Sequence, residues 1–289
     1  MTRSRNRYLL LTIPALSLIF VFVFLPLMNA IRLSFYKWNG YSQNMSWIGF
    51  DNFMQVISDS FFWRSFFNTM IYGFGSTLLQ NIFGLLLALY LNVNFAGRNL
   101  IRAVVYLPIM ISAFIMGQIL YYFVQYQGGV FNEILMLFGK EPVYWMETGL
   151  SATILITLAN SWQYVGLCMV VYLAGLQNIP EVYREAARLD GVGCFREFIY
   201  VTFPMLNASV TTAVVTNLIG GLKMYDVIVS MSGGGPNRGS LSLSYYIQLL
   251  YFNDERAGYA ASVGLITFLI ILCITLPVNW YLRKREVQY

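Results

Sequence analysis

NIPEVYREAARLDGVGCFREFIYVTFPML, residues 178–206, is a polar interruption between two long apolar stretches. It is too charged to lie in hydrocarbon and too patterned to be a slack connector. Pro180 suits a first helical turn, Val182, Tyr183, Ala186 and Ala187 recur at helical spacing, and Asp190-Gly191 closes the segment where glycine can take the left-handed cap. A second helical stretch carries Phe195, Phe198 and Ile199 toward Pro204, whose fixed φ and missing N–H fit the start or a kink of the next long helix. The spacing predicts a helix-turn-helix lying at a membrane surface.

Outward from this loop the chain is apolar. Of 289 residues, 58% are hydrophobic, 17% aromatic and 11% charged, against about 25% charged in soluble domains. Six stretches, 8–31, 67–91, 103–123, 150–173, 203–222 and 259–282, reach the roughly 20 residues that a helix needs to cross the hydrocarbon. The predicted fold is an all-α polytopic membrane protein of six transmembrane helices in one domain, 1–289. The N-terminal MTRSRNRYLLLTIPALSLIFVFVFLPL has the basic start of a signal peptide. Its apolar run is too long and no small-residue cleavage site follows, so it is read as the first span.

Six spans place Arg3, Arg5, Arg7, Arg98, Arg102, Arg184, Arg188, Arg196, Arg283, Lys284 and Arg285 on one side, 11 of the 18 basic residues, with five of the 13 acids, a net of +6. The other side carries −1, which recovers the overall +5. The positive-inside rule then puts both termini and the 178–206 loop in the cytoplasm, and the basic excess needs no nucleic acid. Cys168, Cys194 and Cys273 fall in a span, the loop and a span, which excludes a disulfide framework. With no histidine, neither a metal cluster of recognisable spacing nor a Ser-His-Asp arrangement can be built, and no phosphate-binding glycine loop precedes Gly139-Lys140.

Several spans hold polar groups. Gln80 and Asn81 lie near the middle of the second, where amides bond neighbouring helices, and Pro108 should bend the third. Asn160, Trp162, Gln163 and Tyr164 form a band across the fourth that reads as a water-accessible wall. In the fifth, Asn217 and Gly221 are four apart and share a face. There a small residue beside an amide leaves room for a ligand, the alternative being that Asn217 merely bonds a neighbouring helix. Lys223 and Asp226 lie at the outer end of this span, where snorkelling accounts for them.

The loop residues Glu185-Ala186-Ala187, Asp190-Gly191, Ile199 and Phe203-Pro204 resemble the EAA signature of permease subunits of binding-protein-dependent ABC importers, with Phe203 in place of leucine. Leu33–Trp38 and Trp47–Phe53 resemble SF-x2-W and VGL-x-NF segments of sugar permeases, and equally an interfacial aromatic belt. Gly128-Gly129-Val130-Phe131-Asn132 is similar to the family's G-x2-N step. Tyr225-Asp226-Val227-Ile228, Gly233-Gly234-Gly235-Pro236 and Leu243–Ile247 resemble the GGP segment of one of the two permease types in maltose-type carbohydrate importers.

The resemblance implies a type I importer permease fold in a bacterial or archaeal cell (inner) membrane, with 178–206 as a coupling loop. Glu185, Ala186, Ala187, Asp190 and Gly191 would meet an ATPase dimer. ATP and Mg would bind that partner, leaving this chain with no cofactor, no metal and no catalytic residue. A second permease, an extracytoplasmic sugar-binding protein, a di- or oligosaccharide and membrane lipid complete the expected partners. The family's substrate positions fall on Trp162, Gln163, Tyr164 and Leu167 before the loop, and on Asn217, Gly221 and Met224 after it. The competing class, a six-span secondary transporter or channel for a small polar solute, calls for ionisable residues in the span cores, and these cores have none.

Overall fold

The computed structural model describes residues 12–286. In chain order its elements are α1 (Thr12–Leu33), β1 (Tyr36–Lys37), β2 (Ser46–Trp47), α2 (Asp51–Ser58), α3 (Ser60–Asn92) and α4 (Arg98–Tyr106), which a 3-10 turn extends over Leu107–Met110. There follow α5 (Ala113–Val124), α6 (Val130–Leu137), α7 (Gly149–Asn178), α8 (Glu181–Leu189), α9 (Cys194–Met205), α10 (Asn207–Leu222), α11 (Asp226–Met231), α12 (Leu243–Phe252) and α13 (Ala257–Arg283). Arg3, Arg5, Arg7 and the start of the expected first span at Tyr8 lie outside the described residues.

Among the described residues four helices, α1, α3, α7 and α13, are long and apolar enough to cross a membrane. The expected third and fifth spans are broken: α4 with its extension meets α5 at 102°, and α9 meets α10 at 69°. Six is reached by counting each bent pair as one span. Pro108 lies in the 3-10 turn beside the first break and Pro204 just before the second, as a residue with no N–H and a ring that clashes with the preceding turn dictates. Helix α3, at 33 residues, is about 50 Å long and carries a π-helical turn over Ile71–Gly75.

The chain divides into two compact units, one of Met1–Phe62 with Tyr246–Leu269, the other of Trp63–Tyr245 with Ile270–Tyr289. In the first, the strands pair antiparallel with Tyr36 opposite Trp47. Asn52 Nδ2 donates to Ser34 O at 2.8 Å and to Tyr36 O at 3.0 Å. The segment that reads as an aromatic belt therefore also contains the amide that holds the end of α1 to α2. Asp59 accepts from the hydroxyls of Tyr246 and Tyr259 and from Phe61 N–H. Burial, with the hydrogen bond and charge of Asp59 adding to it, pushes the Tyr246 phenol above its ordinary range.

The second unit is built on the crossing of α3 and α7. A Cβ on Gly84 would stand 2.3 Å from Cys168 Cβ and 3.1 Å from Met169 N, so the small residue permits backbone approach. Ala88, Leu91, Met169, Tyr172 and Leu176 are buried around it. Tyr172 O–H donates to Asn81 Oδ1 at 2.6 Å, the interhelical role expected of that amide. The upper part of α3 holds the 233–243 turn: Asn68 Nδ2 donates to Gly239 O and Leu241 O, Tyr72 O–H to Ser240 O, and Leu243 N–H to Thr69 Oγ1. Asn132 fixes the connection from α5 to α7, bonding Tyr126 O and both backbone groups of Val143 and accepting from Trp145 Nε1.

Candidate functional site

Most of the residues singled out from the sequence occupy two places in the second unit, the 178–206 loop and a cavity lined in large part by α7 and α10. In the loop, α8 ends with Val192 N–H donating to Ala187 O at 3.0 Å and Asp190 N–H to Ala186 O at 3.0 Å, while Gly191 takes φ +72°. This is a Schellman ending, with its turn residue in the left-handed region. A Cβ at Gly191 would meet nothing within 4 Å. Backbone conformation, not lack of room, selects glycine there.

Ala187 is buried, whereas Glu185, Ala186 and Asp190 face outward. The same loop carries apolar side chains that the described residues leave exposed, Leu189 at 89% and Phe195 at 76%. Arg184 Nε lies 3.7 Å from Glu197 Oε1, an ion pair that ties α8 to α9. The loop thus exposes carboxylates, apolar side chains and the Arg196 guanidinium together.

The cavity has a volume of about 230 Å³. Asn160, Tyr164 and Leu167 enter it from one face of α7, and Thr216, Asn217, Gly220 and Gly221 from α10. Lys223, Met224 and Tyr225 follow, with Asp226 and Val227 from α11, Gln80 from α3 and Ala113 from α5. Gln80 Nε2 donates to Asn160 Oδ1 at 3.1 Å and Asn160 O at 3.3 Å, and Asn217 Nδ2 donates to Cys168 Sγ on α7. All three amide side chains that line the cavity thus also bond a neighbouring helix. Gln80 Oε1 is buried without a protein partner among the described residues.

Of the seven pathway residues named from the sequence, Tyr164, Leu167, Asn217, Gly221 and Met224 line this cavity and Trp162 and Gln163 do not. Trp162 is 52% exposed, because two residues from Tyr164 is about 200° around a helix. Gln163 is buried and donates through Nε2 to Ile111 O at 3.0 Å. The reading of Gly221 as room for a ligand is also corrected. A Cβ there would lie 2.8 Å from Tyr72 O and 2.9 Å from Gly73 Cα, so its smallness serves the approach of α10 to α3. Gly220, which also lines the cavity, has nothing within 4 Å of such a Cβ and is the glycine with room for a side chain. Sequence reasoning had passed over Gly220, Lys223 and Asp226 as lining residues. The signal for Gly220 was its i+3 spacing from Asn217 on one helical face.

Residues 80–286 match the family model described as binding-protein-dependent transport system inner membrane component. The chain is 32% identical over 267 residues to the trehalose/maltose transport system permease protein MalF of Thermococcus litoralis, across 92% of this chain and 90% of that protein. It is 31% identical over 281 residues to the lactose transport system permease protein LacF of Rhizobium radiobacter, across 94% and 93%. A crystal structure described as a bacterial alginate ABC transporter in complex with alginate pentasaccharide-bound periplasmic protein contains a chain that superimposes with a TM-score of 0.83 at 25% identity, across 98% of this chain and 96% of that one.

Proposed function

The chain belongs to the family of binding-protein-dependent transport system inner membrane components, and from that premise we propose that it forms half of the translocation pathway of an ATP-driven importer of di- or oligosaccharides. It is a transport component and not an enzyme. Relatives named for trehalose/maltose and for lactose, and a neighbour named for alginate, support a saccharide as the cargo.

The observation that carries the reading is connectivity. Two of the helices that wall the cavity, α7 and α10, are the two joined by the 178–206 loop, so a displacement of α8 and α9 acts directly on these cavity walls. In this reading Glu185, Ala186, Ala187, Asp190 and Gly191 meet a partner ATPase dimer, which binds ATP and Mg. A second permease completes the pathway. The cavity of about 230 Å³ is smaller than the 300–1,000 Å³ usual for a site that encloses its ligand, in keeping with half of a shared site. A sugar-binding protein outside delivers the cargo, and the loop and both termini lie on the cytoplasmic side of the cell (inner) membrane.

Two measurements test this. In proteoliposomes, labelled oligosaccharide should accumulate only when the second permease, ATPase, binding protein and ATP are all present. Accumulation by this chain alone without ATP would overturn the reading in favour of a secondary transporter. For orientation, the exposed Cys194 in the loop, in a Cys273→Ser background, should react with a membrane-impermeant maleimide in inside-out vesicles and not in right-side-out ones. The reverse pattern would invert the topology.

A further inference from the structure

Between Met110 and Ala113 the chain turns through 102°. Such a break leaves backbone groups without intrahelical partners, and within a membrane the protein itself must meet them. Ile111 O is met from α7, where Gln163 Nε2 donates to it at 3.0 Å from a side chain only 1% exposed. A carbonyl acceptor requires the NH2 end of the amide to face the break.

The two halves of the broken helix rest mainly on different partners, although α5 and α11 also touch α7. A Cβ on Gly166 would lie 2.5 Å from Val105 O, so α4 sits against the α7 backbone. A Cβ on Gly117 would lie 3.2 Å from Val227 Cα, so α5 sits against α11. Ala113 at the start of α5, and Asp226 and Val227 of α11, line the cavity. The bend is therefore a joint between a part fixed on α7 and a part that carries one wall of the cavity.

We propose that Gln163 is a positioning residue for transport: its amide pins this joint to α7 and so sets where the α5–α11 wall stands, without touching the sugar. The transport arm of the test rests on the importer reading, and the structural arm does not. Spin labels are placed at Val104 on α4 and Tyr122 on α5, both exposed, in a Cys194→Ser, Cys273→Ser background of the assembled complex. The parent should give one narrow distance. Gln163→Met, of similar length but without a donor, should shift the balance toward a second distance by about tenfold, the equilibrium equivalent of a strong interhelical hydrogen bond. Maximal uptake should fall by a similar factor, with KM within twofold and the order of preference among sugars unchanged.

An unchanged distance distribution overturns the proposal, and so does a shifted one with uptake at the parental rate. Altered sugar preference at an unchanged distance would make Gln163 a sugar contact instead. Should Gln163→Met fail to assemble, Gln163→Asn, which keeps the amide one methylene short of the carbonyl, is read in the same way. A distance shift in a complex whose parent imports no sugar leaves the joint standing and sinks the importer reading.

Discussion

Gly191 in the loop and Gly221 beside the cavity are the same residue held for opposite reasons. Gly191 has empty space around it and a left-handed backbone, φ +72°. Gly221 lies in regular helix and has no space, since a Cβ would come within 2.8 Å of Tyr72 O. The loop is thus constrained by its own backbone, and the spans by the helix next door. A local constraint leaves its mark in neighbouring residues, whereas a crossing does not.

The strongest way to break this comparison is to add a side chain at Gly221. Besides the Ser76 hydroxyl, the atoms it would meet are backbone of α3, Tyr72 O and Gly73 Cα, which cannot swing aside, and overpacking costs about 1–3 kcal/mol even where neighbours can adjust. Gly221→Leu should therefore leave little folded chain in the membrane, read as monodisperse complex recovered in mild detergent. Gly220→Leu, which projects into the open cavity, should assemble normally and lose most sugar uptake. Normal assembly of Gly221→Leu with uptake alone abolished would restore Gly221 as ligand space and remove the contrast.

At Gly191 a smaller effect is expected, and one of another kind. A β-branched residue held in the left-handed region costs on the order of 1–3 kcal/mol, confined to a loop that solvent surrounds. Gly191→Val should leave the complex assembled and lower sugar-stimulated ATP hydrolysis severalfold. Gly191→Asn should stay near the parent, since asparagine adopts that conformation more readily. Equal loss in both variants would point to a contact made at this position and not to the turn.

These cases explain what could be read from the chain. Pro180, the spacing through Ala187 and Asp190-Gly191 specify α8 and its ending because every interaction in that ending lies within six residues. Pro108 specified a bend for the same reason. Motif register placed Tyr164, Leu167, Asn217 and Met224 at the cavity. It could not orient Gln163, whose partner Ile111 lies 52 residues away at a carbonyl freed only by the break. Nor could it show that Trp162 lies on the outer face of α7, because register assigns a position and packing decides the face.

The finest test concerns the amides that span both roles. Gln80 and Asn160 bond each other across α3 and α7 while lining the cavity, and each was expected to serve one purpose. Interhelical hydrogen bonds in membranes average about 0.6 kcal/mol, with a maximum near 1.7, because the unfolded chain in lipid also finds partners. A double-mutant cycle with Gln80→Met and Asn160→Ala, read by unfolding of the purified complex in denaturing detergent, should return a coupling of about 0.6 kcal/mol. If the cargo passes this wall, sugar uptake should fall by more than so small a loss of stability explains, since Gln80 Oε1 has no protein partner among the described residues. If the coupling reaches the upper bound while uptake of the remaining folded complex is unchanged, the pair serves the crossing alone. The buried polar band would then follow the same rule as Gly221, with the neighbouring helix setting its chemistry and the cargo having no part in it.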